Sequence, residues 1–289
     1  MDTTELGTTG LHVSVIGLGA MHFSLAGRPH ESESVAVIHR ALDLGVTFID
    51  TADAYCLDET EKHHNERLVR RALDAYDGDT SGVVVATKGG LMRPGGAWVA
   101  DGHPDHLRKT IRESVEALGG APITLWQHHA PDPRVPVEVS LSVVKSAVDE
   151  GLIRFVGVSN YTVELIERAR RVVDVVSVQN QYSPWHRAPE KDGVLDYCER
   201  EGLTFLPWSP FGGKNRAKKL DEIPVLTALA RERGISPQRL VLAWLRAKST
   251  RILPIPGTTK IAHLEDCLAA ADVTLTPEEV RRIDEGARG

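Results

Sequence analysis

The feature that most constrains the fold is a regular alternation of short apolar runs with amphipathic segments. The runs are rich in β-branched residues, and the segments between them repeat apolar residues at three- and four-residue spacing, as helices do. Strands that are apolar on both faces and alternate with helices indicate a parallel sheet covered by helices. The runs occupy residues 13–20, 47–52, 83–89, 123–130, 153–160, 175–182, 204–210 and 252–258.

Eight such units in a chain of 289 residues close most naturally into a (β/α)8 barrel. We therefore predict an α/β fold, a TIM barrel, with a short N-terminal β-hairpin and helices at the C-terminus. Gly45 and Gly151 directly follow helical patterns, at the position where C-terminal caps belong. No long linker rich in Pro, Gly or Ser interrupts the pattern, which predicts a single domain over residues 1–289.

Composition excludes several classes of protein. Hydrophobic residues make up 42% of the chain and charged residues 26%, as in a soluble globular protein with a sizeable core. The net charge of −6 argues against nucleic acid as a partner. The 3 cysteines are far apart, which argues against a disulfide framework or structural zinc and favours a cytoplasmic location. No membrane-length apolar run or signal peptide is recognisable, and no feature points to an oligomeric partner.

Polar residues follow most of the predicted strands. In a barrel of this kind the active site lies at the carboxyl ends of the strands, so each exit residue is a candidate. Polar residues at so many strand ends are more than capping of the strands and helices alone would require. In chain order they are Asp50 with Tyr55, Lys88, His128 and His129, Ser159 and Asn160, Gln179 and Asn180, Trp208 and Ser209, and Gly257, Thr258, Thr259 and Lys260.

An acid, a lysine, a phenol and an imidazole at neighbouring strand ends suit proton transfer to a carbonyl oxygen. Tyrosine is a reluctant acid, with an ordinary pKa of about 10. We expect the cation of Lys88 to lower the pKa of Tyr55, and Asp50 to keep Lys88 charged and aimed. His128 and His129 are adjacent in a strand and face opposite sides, so at most one of them points into the barrel.

Several segments of the chain resemble, in order and spacing, the signature segments of the aldo-keto reductases. They are "FIDTADAY", "ATKGG", "QHHAPD", "GVSNY", "VQNQYSP", "PWSPFGG" and "IPGTTK". The resemblance implies a catalytic tetrad of Asp50, Tyr55, Lys88 and His129, with Tyr55 as the general acid. His129 is preferred because it directly precedes "APD", the place that the family's histidine takes.

The same resemblance implies a nicotinamide cofactor. A hydroxyl pair beside a lysine suits the adenosine 2′-phosphate, so we expect NADPH rather than NADH. The implied contacts run from the nicotinamide, through the pyrophosphate, to the 2′-phosphate and the adenine. In that order they are Ser159, Asn160, Gln179 and Trp208, then Ser209, Phe211 and Gly212, then Gly257, Thr258, Thr259, Lys260 and His263, and finally Asp266, with Asp50 shared with the tetrad and Met21 near the ribose and the substrate mouth.

The predicted substrate is a small aldehyde or ketone. Two stretches are similar to those of bacterial pyridoxal reductases within the family, while a sugar aldehyde or a ketone of secondary metabolism would fit equally well. The loop at 91–106 and the segment 183–193 are expected to shape the mouth of the pocket. Trp98, Trp185 and His186 in these stretches are candidates to meet a flat substrate.

Other classes of function fit parts of the sequence. "IGLGAMH" partly matches the GxGxxG motif of dinucleotide-binding loops, but His22 occupies the place of the third glycine. The sequence therefore does not support a Rossmann-type loop here. A Schiff-base aldolase would use a neutral Lys88 as its nucleophile. A metal-dependent hydrolase is weaker still, because His128 and His129 lack a paired ligand spacing. A barrel that binds NADPH as a redox sensor remains the non-enzymatic alternative, although a sensor has no need of a complete tetrad.

Overall fold

A parallel β-sheet forms the centre of the fold in the computed structural model, which describes residues 1–213, 217 and 219–287. Seven strands follow one another across this sheet in the order β11, β10, β9, β8, β5, β4 and β3. The strands of the chain are β1 (Thr3–Glu5), β2 (His12–Ser14), β3 (Leu18–Gly19), β4 (Phe48–Asp50), β5 (Val84–Gly89), β6 (Leu91–Met92), β7 (Val99–Ala100), β8 (Ile123–His128), β9 (Ile153–Ser159), β10 (Val175–Gln179) and β11 (Thr204–Phe205).

The eighth predicted run, residues 252–258, closes the sheet into a barrel. On one side the amide of Leu253 donates to the carbonyl of Phe205 at 2.9 Å, and on the other the amide of Gly17 donates to the carbonyl of Pro254 at 2.9 Å. Pro254 and Pro256 have no amide hydrogen, so this run cannot form the regular ladder of a full strand. The predicted (β/α)8 barrel is therefore confirmed, and its eighth strand is irregular.

Helices cover the outer face of the barrel, as the amphipathic segments predict. Glycine in the left-handed region ends the patterns where expected, for example Gly45 (φ 84°) and Gly151 (φ 75°). The α-helices span Glu31–Asp43, His64–Asp74, Pro104–Ala117, Val137–Asp149, Val163–Arg170, Ala188–Lys191, Val194–Glu201, Pro224–Arg233, Pro237–Lys248, Ile261–Leu268 and Pro277–Gly286. None of the helices in the described residues is both long enough and apolar enough to cross a membrane.

The barrel interior holds its own apolar cluster, separate from the larger core between sheet and helices. Leu6 and Val13 of the predicted N-terminal hairpin join this inner cluster with Phe48 and Leu125. The amide of Gly7 between β1 and β2 also donates to the Thr204 hydroxyl at the start of β11, at 2.7 Å. The hairpin thus closes the amino end of the barrel and leaves the carboxyl end open for a site.

Two local features differ from the sequence expectation. The first predicted run, 13–20, is divided between β2 of the hairpin and β3 of the barrel. The Ser14 hydroxyl donates to the carbonyl of Ile16 at 2.9 Å, which bends the chain between the two strands. The predicted mouth loop contains a small antiparallel hairpin, β6–β7, in which Leu91 pairs with Ala100.

Candidate active site

A buried lysine lies at the centre of the carboxyl end of the barrel. Lys88 Nζ is 2.6 Å from Asp50 Oδ1, 3.0 Å from Tyr55 Oη and 2.8 Å from the carbonyl oxygen of Thr51. The Lys88 side chain is fully buried, and Asp50 and Tyr55 are 3% and 6% exposed. All three donor positions of the ammonium are therefore occupied, which fixes its place between the carboxylate and the phenol.

Strand geometry explains why these side chains meet. Asp50 ends β4, and Lys88 is the inward-facing residue next to the end of β5, which pairs with β4 in parallel. Tyr55 follows in a turn that is tied to the same strand, because the amide of Asp53 donates to the carbonyl of Lys88 at 3.0 Å. Side chains of a strand alternate between its two faces, which places Lys88 on the inner face beside the Asp50 carboxylate. The turn then places the Tyr55 phenol beside the lysine.

Two glutamine amides complete the surroundings of Asp50. Gln179 Nε2 donates to Asp50 Oδ2 at 2.8 Å, and Gln127 Nε2 lies 3.3 Å from the same oxygen. Gln127 was not among the predicted site residues. Its signal was available, since it stands two positions before His129 on β8 and so faces the same side. The carboxylate thus has partners at both oxygens, as a buried charge requires.

The structure separates the two adjacent histidines. The His129 ring lies 5.8 Å from the Tyr55 ring, centre to centre, and lines the cavity beside it. His128 faces the helical layer, where its Nδ1 lies 2.7 Å from Tyr161 Oη. Burial, together with the charge of Lys88, holds the pKa of His129 well below its ordinary value. His129 is therefore uncharged near neutral pH.

The pKa of Tyr55 corrects one expectation. Burial raises it above the ordinary value, and this effect outweighs the opposing charge of Lys88. Burial alone would lower the pKa of Lys88, but the charge of Asp50 and the hydrogen bonds to Asp50 and Tyr55 raise it above its usual value. The prediction that Lys88 brings the pKa of Tyr55 down overall was wrong. The resting pair is instead a neutral phenol beside a cationic ammonium.

A cavity of about 540 Å³ opens above Tyr55 and His129. This size is typical of pockets for small organic ligands. Many of the predicted catalytic and cofactor residues line it, along with several that were not predicted. The predicted ones are Met21, Asp50, Tyr55, His129, Ser159, Asn160, Gln179, Trp208, Ser209, Phe211 and Gly257, together with Leu91 and Trp98 of the loop predicted to shape the mouth, and the additional side chains include His22, Leu25 and Ile255.

Backbone strain marks one rim of this cavity. Asn160 (φ 63°) and Ser209 (φ 51°) occupy the left-handed region, which non-glycine residues rarely adopt. The Asn160 side chain is held in place because its Nδ2 donates to the carbonyl of His129 at 3.0 Å and its Oδ1 accepts from Trp208 Nε1 at 3.1 Å. Gly212 closes the following turn by donating to the carbonyl of Ser209 at 2.8 Å.

The segment predicted to meet the adenosine end lies beyond the lining of the cavity. Lys260 and His263 are exposed and Thr258 and Thr259 are half-buried, at the start of the helix Ile261–Leu268. The Thr258 hydroxyl accepts from the amide of Lys260 at 3.2 Å. The four residues thus form one polar surface next to Gly257.

Asp266, predicted to approach the adenine, has partners within the chain. Its Oδ1 lies 2.7 Å from Arg239 Nη2, and its Oδ2 accepts from the Ser236 hydroxyl. A carboxylate engaged on both oxygens is a poor free acceptor for an adenine amine. Arg239, which sequence reasoning missed, is the residue that Asp266 orients.

Comparison with known proteins agrees with this geometry. The model of the aldo/keto reductase family matches residues 15–288. The uncharacterized oxidoreductase C215.11c of Schizosaccharomyces pombe is 37% identical over 293 residues, covering 99% of this chain and 91% of that protein.

Solved structures give the same result. The thermostable aldo-keto reductase Tm1743, in complex with the inhibitor epalrestat, superposes with a TM-score of 0.83 at 28% identity, covering 98% of this chain and 99% of that one. The glycerol dehydrogenase AKR11B4 from Gluconobacter oxydans has a TM-score of 0.82 at 26% identity, with 98% and 94% covered. This chain therefore belongs to the aldo/keto reductase family and is an NAD(P)H-dependent oxidoreductase.

Proposed function

We propose that this protein reduces an aldehyde or ketone to the alcohol with NADPH, and that Tyr55 supplies the proton to the carbonyl oxygen. The observation that carries this proposal is the position of Lys88 Nζ, 2.6 Å from Asp50 Oδ1 and 3.0 Å from Tyr55 Oη. Asp50 and Tyr55 line the cavity, and Lys88 lies behind them. A phenol beside a fixed cation is an acid whose conjugate base is stabilised where it forms.

The proton comes from a neutral phenol. Because burial keeps the pKa of Tyr55 high, the hydroxyl is protonated throughout the neutral range. When its proton passes to the carbonyl oxygen, negative charge develops on Oη, 3.0 Å from the ammonium of Lys88. That charge pair forms away from bulk water, where a Coulomb attraction is stronger than in solution. Lys88 therefore stabilises the product of the proton transfer rather than the resting state.

His129 is suited to orient the carbonyl group. Its Nδ1 is enclosed, so Nε2 is the ring nitrogen left to meet a carbonyl oxygen in the cavity. An uncharged imidazole can donate a hydrogen bond from that nitrogen without adding a second cation beside Lys88. His129 and Tyr55 would then hold the same oxygen from two directions.

The residues at the strained rim fit a nicotinamide cofactor. Ser159, Asn160 and Gln179 bring hydroxyl and amide groups to one wall of the cavity, where they suit a carboxamide, and the flat side chain of Trp208 suits the ring. When bound, NADPH supplies the hydride for the carbonyl carbon. Ser209, Phe211 and Gly212 would follow the pyrophosphate, and Met21 the ribose.

The preference for NADPH over NADH rests on the polar surface beyond Gly257. Two hydroxyls, an ammonium and an imidazole lie on one short stretch, where Thr258 and Thr259 are half-buried and Lys260 and His263 are exposed. A phosphate monoester is recognised by such a combination of charge and hydroxyl donors. Asp266 would act there only through Arg239.

The remaining candidate functions are less well supported. A Schiff-base aldolase needs a neutral lysine, whereas the charge of Asp50 and the hydrogen bonds to Asp50 and Tyr55 raise the pKa of Lys88 and keep it cationic. An NADPH-binding sensor without turnover would use the same rim but would not need a phenol, a lysine and an imidazole around an open cavity.

A carbonyl panel tests the proposal. Purified protein is mixed with NADPH or NADH and with aldehydes and ketones that include 4-nitrobenzaldehyde, pyridoxal and a sugar aldehyde, and the loss of the reduced-nicotinamide absorbance is followed. We expect turnover of at least one aldehyde, faster with NADPH. Tight NADPH binding without turnover of any compound would indicate the sensor instead.

A further inference from the structure

Trp98 forms the outer wall of the cavity, opposite the catalytic rings. Its ring lies 6.3 Å, centre to centre, from both Tyr55 and His129, at interplanar angles of 83° and 63°. The three rings enclose the place where a carbonyl group would meet Tyr55. At 46% exposure, Trp98 also presents a large open indole surface to a ligand. A substrate held at Tyr55 would therefore have the indole within reach.

Arg93 stacks against the Trp98 ring, with its guanidinium carbon 3.7 Å from the ring centre. The arginine is only 6% exposed. Its Nη2 donates to the carbonyl of Leu57 at 3.2 Å, but in the described part of the chain Nε and Nη1 have no hydrogen-bond partner. A cation with two enclosed, unpartnered nitrogens costs free energy, which a purely structural position would not retain without compensation.

The nearby carboxylates have other partners. Glu59 accepts from the backbone amide of Arg93 with Oε2 at 2.6 Å, and its Oε1 lies 3.3 Å from Lys62 Nζ. Asp58 accepts from the amide of Thr60. Neither forms an ion pair with the Arg93 guanidinium, and the Glu59 side chain is 43% exposed, so water screens it more strongly than it screens the arginine.

The described lining of the cavity contains no lysine or arginine side chain. Any attraction of the outer cavity for a negative charge must therefore come from a cation that lies behind the residues that line it. A cation on one face of an indole draws the ring's electron density toward itself, which makes the opposite face less negative. Because Trp98 lines the cavity and Arg93 does not, the indole face away from Arg93 is the one available to a bound substrate.

We propose that Arg93, acting through the ring of Trp98, gives the outer cavity a preference for flat carbonyl compounds that carry a negative charge remote from the reacting carbonyl. This inference rests on the proposed carbonyl reduction and names its substrate class. Arg93 is then a specificity-determining residue, since it touches neither the carbonyl group nor Tyr55.

The expected effect follows from Coulomb's law. A planar group stacked on the indole lies about 3.5 Å beyond it, so its charge is separated from the guanidinium by roughly twice that distance. At this separation, in a half-exposed site with a dielectric constant below that of water, a favourable charge pair changes affinity by about five- to tenfold. The effect should decline as salt is added.

The test compares 4-carboxybenzaldehyde with 4-formylbenzamide, which has the same shape and no charge. The ratio of their kcat/KM values is measured for the wild type, Arg93→Met, Arg93→Lys and the surface control Arg108→Met. We expect Arg93→Met to lower the carboxylate-to-amide ratio about five- to tenfold through KM. Arg93→Lys should keep most of the ratio, and Arg108→Met should leave it unchanged. Comparing this ratio between variants cancels the different intrinsic reactivities of the two aldehydes.

A binding measurement without turnover separates this inference from the proposed function. Calorimetry on the NADPH complex, in which an alcohol finds no oxidised nicotinamide to accept its hydride, compares 4-(hydroxymethyl)benzoate with 4-(hydroxymethyl)benzamide in low and high salt. Tighter binding of the carboxylate, weakened by salt and lost in Arg93→Met, supports the inference. Equal affinities in the wild type, or a ratio that Arg93→Met does not change, overturn it even where both aldehydes are reduced. Failure to reduce either aldehyde counts against the proposed function, while the calorimetric ratio still decides the role of Arg93. If Arg93→Met does not fold, the wild-type salt dependence and Arg93→Lys give the answer.

Discussion

Lys88 Nζ lies 3.0 Å from Tyr55 Oη in a site where neither side chain is more than 6% exposed. The same ammonium is 2.6 Å from Asp50 Oδ1, so a single cation serves both a carboxylate and a phenol. The carboxylate keeps the lysine charged, and the lysine in turn stabilises the negative charge that the phenol acquires on losing its proton. The stability of the buried ion pair and the proton transfer from Tyr55 therefore both depend on Lys88 Nζ.

Replacing Lys88 by methionine should therefore reduce both stability and turnover. Asp50 would remain buried without a cation, which costs about 3–5 kcal/mol in the free energy of unfolding when one partner of a buried pair is removed. The double variant Lys88→Met/Asp50→Asn should recover much of that stability and none of the activity. Urea unfolding and steady-state turnover measure the two effects. An active Lys88→Met protein would argue against a cationic role for the lysine.

His128 should make the protein sensitive to acid. Burial lowers its pKa from 6.5 to about 4 in the folded state. The folded state thus binds fewer protons than the unfolded state between these values. The contribution is fully present above pH 6.5 and is lost as pH falls through 4, by up to about 3 kcal/mol at about 1.4 kcal/mol per pKa unit. In His128→Gln this part of the pH dependence should vanish, as urea unfolding at pH 7 and pH 5 would show.

Asp53 should act in the opposite direction. Its fully buried carboxyl lies 3.5 Å from Lys62 Nζ and accepts from the Thr110 hydroxyl, and burial raises its pKa from 3.8 to about 6. The folded state then binds more protons than the unfolded state in this window. The contribution is fully present below pH 3.8 and is lost as pH rises through 6, by up to about 3 kcal/mol.

Asp53→Asn keeps the shape of the side chain and removes the titration. The difference in unfolding free energy between wild type and this variant should shift in favour of the variant as pH rises from 4 to 7. Asp284→Asn is a matched control, because this partly buried carboxylate bonds Trp244 and Lys248 far along the chain. A pH-independent difference for Asp53→Asn would mean that Asp53 stays charged throughout.

Lys260→Ala tests the assignment of the 2′-phosphate. Because the ammonium would meet a group that NADH lacks, the variant should bind NADPH about tenfold more weakly or worse, with little change for NADH. Fluorescence titration with both cofactors measures this. Lys109→Ala removes a comparably exposed charge from another helix and should change neither affinity. Equal losses for NADPH and NADH in Lys260→Ala would remove the lysine from phosphate recognition.

The barrel could be predicted because its signals are local. β-Branched runs, helical spacing and terminal glycines each reflect the geometry of residues close together in the chain. Once the strands are placed, Asp50, Lys88 and His129 fall at or next to their carboxyl ends. Two features of the strands were not predicted. The run 13–20 is divided because the Ser14 hydroxyl bonds to the backbone, and the eighth strand is irregular because Pro254 and Pro256 have no amide hydrogen. A hydrophobic pattern reports neither effect.

The parts of the site that escaped prediction depend on contacts between distant segments. The stacking of Arg93 on Trp98 requires the β6–β7 hairpin, which has no strong pattern in the sequence. The engagement of Asp266 by Arg239 joins two helices. The net pKa of Tyr55 depends on how deeply the ring is buried, and a sequence shows the neighbouring lysine without showing the burial.

The Tyr55→Phe variant tests whether the phenol delivers the proton. The ring and its packing remain, and only the proton donor is removed. With a reactive aldehyde and saturating NADPH, we predict that kcat falls by about a hundredfold or more, while the dissociation constant for NADPH, measured by fluorescence quenching, changes by no more than about twofold. Turnover within a few-fold of wild type would show that the proton comes from a group other than Tyr55.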